Sequence, residues 1–486
     1  MKHQPNFLVS SSCLAVFAAF GLATLAPNSA QAAGLSKLKV SADNRNLVQE
    51  NGKPFFYLAD TGWELFHRLN REEAITYLDT RAKQKYTVIQ AVAVAELSGV
   101  DDPNAYGDRP FIDRNFTKPA TTPGADPKNA AQYDYWDHVD FVVDAAAARG
   151  IYIAMLPAWG RWINNDNGLL NAANAQEYGE WLGKRYAKKN IIWVLGGDRD
   201  FSGHEETIRL EAKGITIGVA GKEDYSQTLM TLHPCGSCSS AKWFHSDAWL
   251  DFDMQQNGHN PNVPVWTRLD RDRSLEPAKP VMDSEPLYED HPVAFNAAEN
   301  GYSVDADVRK FAYWDLLSGA FGHTYGHHSV WQMFAPGREQ INGPTMYWFE
   351  ALNRPGAAQM QYARALIESR PMFARVPDAS LVVTQPKFDP SYIAASRGLD
   401  YAMFYSAEGR KILVKMGKIS GEKVKAWWFN PRTGGAIEIG SFDNKGTQGF
   451  NPPSKGYNSD WVLVLDDVGK NYSAPGSAAP AAAKAK

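Results

Sequence analysis

Two carboxylates stand at positions where a chain could use them for chemistry. Asp198 follows Ile191-Ile192-Trp193-Val194-Leu195-Gly196-Gly197, five large apolar residues closed by two glycines. Such a run reads as a buried strand, and the glycines let the backbone turn sharply with no side chain in the way. Glu285 follows a shorter apolar run, Pro280 to Asp283, and Pro286 fixes the chain direction after it. An acid at the C-terminal end of a buried strand is how a β/α barrel presents a catalytic group. Two such acids suit glycosidic bond cleavage, which needs one group to protonate the leaving oxygen and another to attack or to activate water. Asp198 is the candidate acid/base, its pKa raised by burial near Trp193 and by the second carboxylate. Glu285 is the candidate ionised nucleophile. In the plainer readings Asp198 caps a following helix and Glu285 is a loop acid or a salt-bridge partner. Asp60 and Glu96 are alternative carboxylates, and the pattern alone leaves that choice open.

The elements that would position these acids alternate regularly. Apolar runs at Phe55–Ala59, Thr87–Ala95, Ile151–Leu156, Ile191–Leu195, Thr228–Leu232, Leu250–Met254, Pro280–Asp283 and Ala320–Tyr325 read as eight strands. Helical periodicity separates them at Arg71–Lys85, Tyr133–Arg149, Ala172–Lys189, Glu205–Val219 and Asp305–Ser318, and two helices close the segment by Ser369. This predicts an α/β fold, a (β/α)8 TIM barrel over residues 36–370 with long βα loops. A doubly wound sheet is the rival, but no G-x-G-x-x-G follows an early strand. The polar stretch Ser98 to Gln132 is long enough to suggest a functional loop. After Arg370-Pro371 short strands follow at Leu381–Val383, Tyr392–Ser396, Tyr401–Tyr405, Lys411–Lys415, Val424–Phe429, Ala436–Ile439 and Trp461–Leu465. They predict a C-terminal all-β sandwich domain over residues 371–468. Residues 472–486, rich in Ala, Pro, Ser and Lys, read as a flexible tail.

The predicted strand ends carry polar or aromatic side chains throughout: Asp60, Glu96, Trp159, Asp198, His233, Gln255, Glu285, and His323 with Tyr325. In one barrel these would converge on one pocket mouth. Carboxylates, amides, imidazoles and aromatic plates are the mixture a sugar needs, since its hydroxyls want paired donors and acceptors and its C–H face stacks on Trp or Tyr. His323, His327 and His328 resemble a metal set, but Gly322 and Gly326 interrupt any helix that would align them. They are read as hydrogen-bonding residues, with no metal and no cofactor expected. Trp159 and Trp331 are candidates for ligand contact or for core. Trp427-Trp428 read as core and inter-domain packing.

Composition and the N-terminus bound the partners. A chain that is 44% hydrophobic can bury a sizeable core. The net charge is −4 with no basic block, which argues against nucleic acid. Lys2, the apolar Phe7–Leu25 and Ala30-Gln31-Ala32 read as a signal peptide, residues 1–32, cleaved after Ala32. This predicts a periplasmic or secreted protein with no membrane insertion after cleavage, expected to be a monomer. Cys13 leaves with that peptide. Cys235 and Cys238 then read as a loop disulfide in an oxidising compartment, rather than a thioredoxin-like redox pair or half a zinc site.

The mature chain resembles the apiosidase-like glycoside hydrolases (family 140), which join a (β/α)8 barrel of formerly unknown function to a C-terminal domain of the collagen-binding type. The resemblance is carried by Phe56-Tyr57-Leu58-Ala59-Asp60-Thr61-Gly62-Trp63-Glu64-Leu65-Phe66, Trp193 to Asp198, His233-Pro234, Ser284-Glu285-Pro286-Leu287-Tyr288-Glu289 and Tyr325 to Gln332. It covers residues 36–468. It implies retaining cleavage with Asp198 as acid/base and Glu285 as nucleophile, Trp63 and Tyr288 at the sugar, and release of apiose from rhamnogalacturonan II or similar plant apiosides. The Cys235 to Ser240 insertion departs from the family pattern and bears on the leaving-group side. A retaining endo-glycanase on another plant polysaccharide and a non-catalytic collagen- or carbohydrate-binding protein are the alternatives. The long 98–132 loop favours a closed pocket, and hence an exo-enzyme. Retention predicts carboxyl groups about 5–5.5 Å apart, inversion about 6.5–9.5 Å.

Overall fold

The computed structural model describes residues 34–164, 168–386 and 390–477. The expected signal peptide and the end of the expected tail, 478–486, lie outside the described residues. Three short strands, β1 (Leu38–Val40), β2 (Leu47–Gln49) and β3 (Pro54–Phe55), open the chain as a small antiparallel sheet. Phe55 therefore belongs to this sheet and not to the first parallel strand, because Pro54 and Phe55 pair back onto Val48 and Leu47.

Parallel strands follow: β4 (Tyr57–Thr61), β5 (Val88–Val92), β6 (Tyr152–Leu156), β7 (Ile192–Gly196), β8 (Met230–His233), β9 (Asp253–Gln255), β10 (Val281–Asp283) and β11 (Gly322–Tyr325). Six of them form one sheet in the order β11-β4-β5-β6-β7-β8, and β9 and β10 form a parallel pair. Backbone hydrogen bonds reach across both gaps. Asp251 N–H donates to Met230 O at 2.8 Å, and Phe321 N–H to Val281 O at 3.2 Å. Every residue of β4 to β7 is buried, as in parallel sheets covered on both faces.

The helices between strands start where side chains can satisfy their first free N–H groups. Asn70 and Glu73 form a reciprocal cap on the helix Arg71–Lys83, and Asp134 and Asp137 do the same for Tyr135–Ala147. A further helix, Val265–Arg273, has only Val265, Trp266 and Leu269 as buried apolar positions among charged residues, so periodicity does not reveal it. The 98–132 stretch holds one 3-10 turn, Ile112–Arg114. It packs on the second helix, with Trp136 Nε1–H donating to Pro110 O at 2.8 Å.

The C-terminal part is antiparallel. Strands β12 (Val376–Pro377), β13 (Ile393–Arg397), β14 (Tyr401–Ser406), β15 (Ile412–Lys415), β16 (Lys423–Phe429), β17 (Ala436–Asp443), β18 (Thr447–Phe450) and β19 (Trp461–Asp467) form a six-stranded sheet, β12-β13-β14-β19-β16-β17, and a two-stranded one, β15-β18. Phe404, Ile412, Val424, Trp428 and Phe450 form part of a shared core. Leu381–Val383, expected as a strand, is a 3-10 turn followed by a single bridge from Val382 to Val414. Met403, Tyr405, Trp427 and Val464 join Phe311, Trp314 and Leu366 of the helical layer in one buried cluster. Arg309, fully buried, reaches Asp460 at 3.0 and 3.1 Å, and Arg370 reaches Asp466 at 2.6 and 2.8 Å. The first residues of the expected tail are tied down: Arg370 Nη2–H donates to Ser473 O at 3.0 Å, and Tyr472 O–H to Asp400 at 3.0 Å. Among the described residues no helix is long and apolar enough to cross a membrane.

Candidate active site

A cavity of about 610 Å³ opens at the C-terminal ends of the parallel strands, within the usual range for small-molecule sites. Each of the eight strands supplies a lining residue from the segment just after it. In order these include Trp63, Glu96, Trp159, Asp198, Ser237, Gln256, Glu285 and Trp331.

Asp198 reaches this cavity through the two glycines. Gly196 has φ 78°, Gly197 φ 130°, and Asp198 itself φ 40°. A Cβ on Gly197 would sit 2.8 Å from the Trp159 ring, and one on Gly196 2.8 Å from the Phe201 ring. Glycine is thus required for both conformation and space. The turn is then tied to the end of β8: Gly197 N–H donates to His233 O at 3.0 Å, and Asp198 N–H to His233 Nδ1 at 3.3 Å. Asp198 does not cap a helix, since the next one begins at Glu205.

Glu285 follows β10 and is nearly buried, its side chain 8% exposed. Its N–H donates to Asp283 Oδ1 at 3.2 Å, and its carbonyl accepts from Gly258 N–H at 3.0 Å. His233 Nε2 lies 3.0 Å from Glu285 Oε2, and His259 Nε2 lies 3.3 Å from Oε1. His233 therefore touches both acids, one through each ring nitrogen.

The surroundings push the two carboxyls in opposite directions. Burial raises Asp198, the Glu285 charge adds to it, and His233 and Arg199 offset only part. Burial also works against ionised Glu285, but hydrogen bonding and charge from His233 and His259 overcome it and hold this carboxyl well below the usual range. One acid pushed toward holding its proton beside one pushed toward the ionised form is the division that glycoside hydrolysis requires. Glu96, a third acid, is pushed up to about 7 by burial against the pull of Arg199. Arg199 bridges it to Asp198, with contacts of 3.3 Å to each.

Residues 41–374 match the family model described as "Apiosidase-like, catalytic domain". The chain belongs to the apiosidase-like glycoside hydrolases. Residues 376–466 of this hydrolase match a second model, "Putative collagen-binding domain of a collagenase". A solved structure named "Glycoside hydrolase" is 37% identical with a TM-score of 0.82, covering 90% of this chain and 98% of that one. A glycoside hydrolase family 5 structure from Bacteroides vulgatus ATCC 8482 is 36% identical with a TM-score of 0.82, covering 92% and 96% respectively. Another structure from the same strain, 14% identical with a TM-score of 0.64 and covering 89% of this chain and 82% of that one, shares the fold. No curated protein matches the chain.

The hydrolase brings together Asp198, Glu285, Glu96, Trp63, Trp159, Tyr288 and Trp331 on one cavity. Trp63 Nε1–H donates to the Tyr288 hydroxyl at 3.0 Å, and the Trp63 and Trp159 rings lie 5.3 Å apart. Trp159 Nε1, buried, has no protein partner. His233, expected at the substrate, is instead fully buried behind the acids and does not line the cavity.

Four expected substrate contacts lie elsewhere. Asp60 is fully buried and accepts from Tyr77 O–H and Arg81 Nε–H, both at 2.6 Å. Tyr325, paired with Asp60 in the sheet register, donates to Glu289 at 2.6 Å. His323 meets Asp315 at 2.9 Å, and the Gln255 amide donates to Arg268 O at 2.9 Å. All four side chains point to the helical layer, because successive strand residues face opposite sides. His327 and His328 are also bonded elsewhere, to Asp290 and to Asn342 O. Trp193 packs near Tyr186, away from the cavity, so Trp159 and not Trp193 is the aromatic wall at Asp198.

The cavity uses residues that the strand-end pattern passed over: Gln256, Asn257, His259, His291 and Phe295. The rings of His259 and His291 stack at 3.9 Å. Burial, with His259 and His328 nearby, holds His291 down to about 2. For Gln256, Asn257 and His259 the sequence signal is the amide- and histidine-rich run Gln255-Gln256-Asn257-Gly258-His259-Asn260, which His291 and Phe295 lie outside. No residue of the 98–132 loop lines the cavity, so the loops after β9, β10 and β11 form its rim instead. Cys235 and Cys238 are joined by a disulfide, with Gly236 and Ser237 facing the cavity.

Proposed function

We propose that this hydrolase is an exported, monomeric, retaining β-apiosidase that releases terminal apiose from rhamnogalacturonan II or related plant apiosides. The observation that carries the reading is the pairing of Asp198 and Glu285 on one cavity, in surroundings that push their two carboxyls in opposite directions. Family membership supports apiose as the sugar. The eight parallel strands, each feeding the cavity rim, support a closed (β/α)8 barrel. The N-terminal apolar segment with Ala30-Gln31-Ala32 and the disulfide support export.

In this mechanism Glu285 attacks the anomeric carbon while Asp198 gives its proton to the leaving glycosidic oxygen. A glycosyl–Glu285 ester forms and the aglycone departs neutral. Asp198, now ionised, takes a proton from water, which attacks the same carbon and frees Glu285. Tyr288, Trp63 and His259 surround the reacting ring.

The test is product analysis on a panel of apiose-containing glycosides with wild type, Asp198→Asn and Glu285→Gln. Proton NMR of the first-formed anomer reports the stereochemistry. Free apiose with retained configuration from wild type alone is expected. Absence of apiose from every panel member would retire the sugar, and an inverted first product would retire the covalent step.

A further inference from the structure

One arginine stands between two acids at the cavity. Arg199 follows Asp198 directly in the chain. Its Nη1–H donates to the Asp198 carbonyl at 2.7 Å and to Asp198 Oδ2 at 3.3 Å. Its Nη2–H donates to Glu96 Oε1 at 3.3 Å. The grip on the carbonyl matters because Asp198 has φ 40°, a conformation that strains a residue with a side chain. The stem of Arg199 packs against Gly160, where a Cβ would lie 3.0 Å from Arg199 Cγ. Glu96 is held from its own side. Arg161 Nη1–H donates to the Glu96 carbonyl at 3.2 Å, and Leu97 N–H donates to buried Glu64 at 3.0 Å.

A guanidinium carries one positive charge, and here it faces two carboxyls. Both line the cavity, and burial raises both. Ionising one therefore draws on the charge that would favour ionising the other. Before the reaction an ionised Glu96 takes up the charge of Arg199 and leaves Asp198 free to hold its proton. Once Asp198 has given that proton to the leaving oxygen, its new carboxylate has the same guanidinium 3.3 Å away.

We propose that Arg199 is a positioning residue for the proton donor Asp198, and that Glu96 is the counter-charge that sets how much of the Arg199 charge the donor feels. This rests on the reading of Asp198 as the general acid. The other charged or titratable groups facing Asp198 are Glu285 after β10 and His233 on β8. Glu96 also faces Glu285, and Glu64, which pairs with His67 at 2.8 Å. Asp200, next along the chain from Arg199, is paired with Lys242.

The test is the pH dependence of kcat/KM, because removing charges of opposite sign must move the alkaline limb in opposite directions. The substrates are a methyl β-apioside, which needs proton donation, and a 2,4-dinitrophenyl β-apioside, which hardly does. The proteins are wild type, Glu96→Gln, Arg199→Gln and the double variant. Asp198 works protonated, so the alkaline limb on the methyl glycoside follows its pKa. Glu96→Gln leaves the arginine charge to Asp198 alone and should move that limb to lower pH by on the order of one pH unit. Arg199→Gln removes the charge and should move the limb to higher pH. It should also lose on the order of 10–100-fold in kcat/KM on the methyl glycoside, and much less on the dinitrophenyl one. The double variant should fall between the two. Arg199→Lys, which keeps the charge without the fork, should bring the limb back toward wild type. Limbs that move the same way in both single variants, or that stay put while KM rises, would overturn the inference and leave Glu96 as a substrate contact. Should circular dichroism show Arg199→Gln unfolded, Glu96→Gln, which keeps the shape of the side chain, decides by the direction of its shift. An alkaline limb that survives in Asp198→Asn and vanishes in Glu96→Gln would make Glu96 the donor and retire the reading of Asp198 as well. If wild type cleaved neither apioside, the sugar assignment would fall, and the same variants on the glycoside it does cleave would decide the inference.

Discussion

Replacing His259 by alanine removes one of the two imidazoles that keep Glu285 ionised. His259 Nε2 lies 3.3 Å from Oε1 of a carboxyl that is only 8% exposed. A hydrogen bond to a charged group is worth about 1.5–3 kcal/mol, and one pKa unit corresponds to about 1.4 kcal/mol. Losing it should raise the Glu285 pKa by about 1–2 units, with His233 still in place. The sign follows from the required form. Glu285 attacks as carboxylate, so the acid limb of kcat/KM, which reports the free enzyme, moves to higher pH when its pKa rises. The alkaline limb belongs to Asp198 and should stay near its wild-type position, because Glu285 remains ionised there in both proteins. The assay is kcat/KM on an aryl apioside across acid and neutral pH, with His259→Asn as a partner variant that retains an N–H donor and should lie between. An acid limb at the wild-type position, with a uniform loss at all pH values, would refute the argument and leave His259 as a packing partner of His291.

Asp198→Asn should remove the alkaline limb and cost about 10²–10⁴-fold on substrates with poor leaving groups. Glu285→Gln should cost more, on the order of 10⁵–10⁶-fold, on every substrate; single-turnover rates on aryl glycosides of differing leaving group separate the two. Gly197→Ala places a methyl 2.8 Å from the Trp159 ring at φ 130°, and should destabilise by about 1–3 kcal/mol, read from denaturant midpoints, with reduced kcat. Asp60→Ala strips the ion-pair partner from fully buried Arg81. It should cost about 3–5 kcal/mol of stability while KM of the folded fraction stays put; a raised KM with wild-type stability would return Asp60 to the substrate.

What the chain reveals without coordinates divides along a physical line. The Gly196-Gly197-Asp198 turn is legible because its causes are local: a strand must end, the backbone must take positive φ, and only glycine does so without strain. The alternation of apolar runs and periodic helices is legible for the same reason. Which side of the sheet a strand-end residue faces is not local. It depends on register with neighbours far along the chain, as Asp60 pairs with Tyr325 and Ala59 with Thr324. A slip of one residue exchanges the two faces. Gln255 and Gln256 show the consequence most sharply. They are chemically identical neighbours, yet Gln255 donates to Arg268 O of the helical layer while Gln256 lines the cavity. The pairing that makes the difference is the bridge from Ser239 to Gln255 and the two hydrogen bonds beyond it to Gln256. Those contacts arise in the Cys235–Ser240 segment, closed by its disulfide. A pairing made with residues about twenty positions earlier in the chain therefore selects which glutamine faces the cavity, and no pattern within the Gln255-Gln256 pair itself could show it.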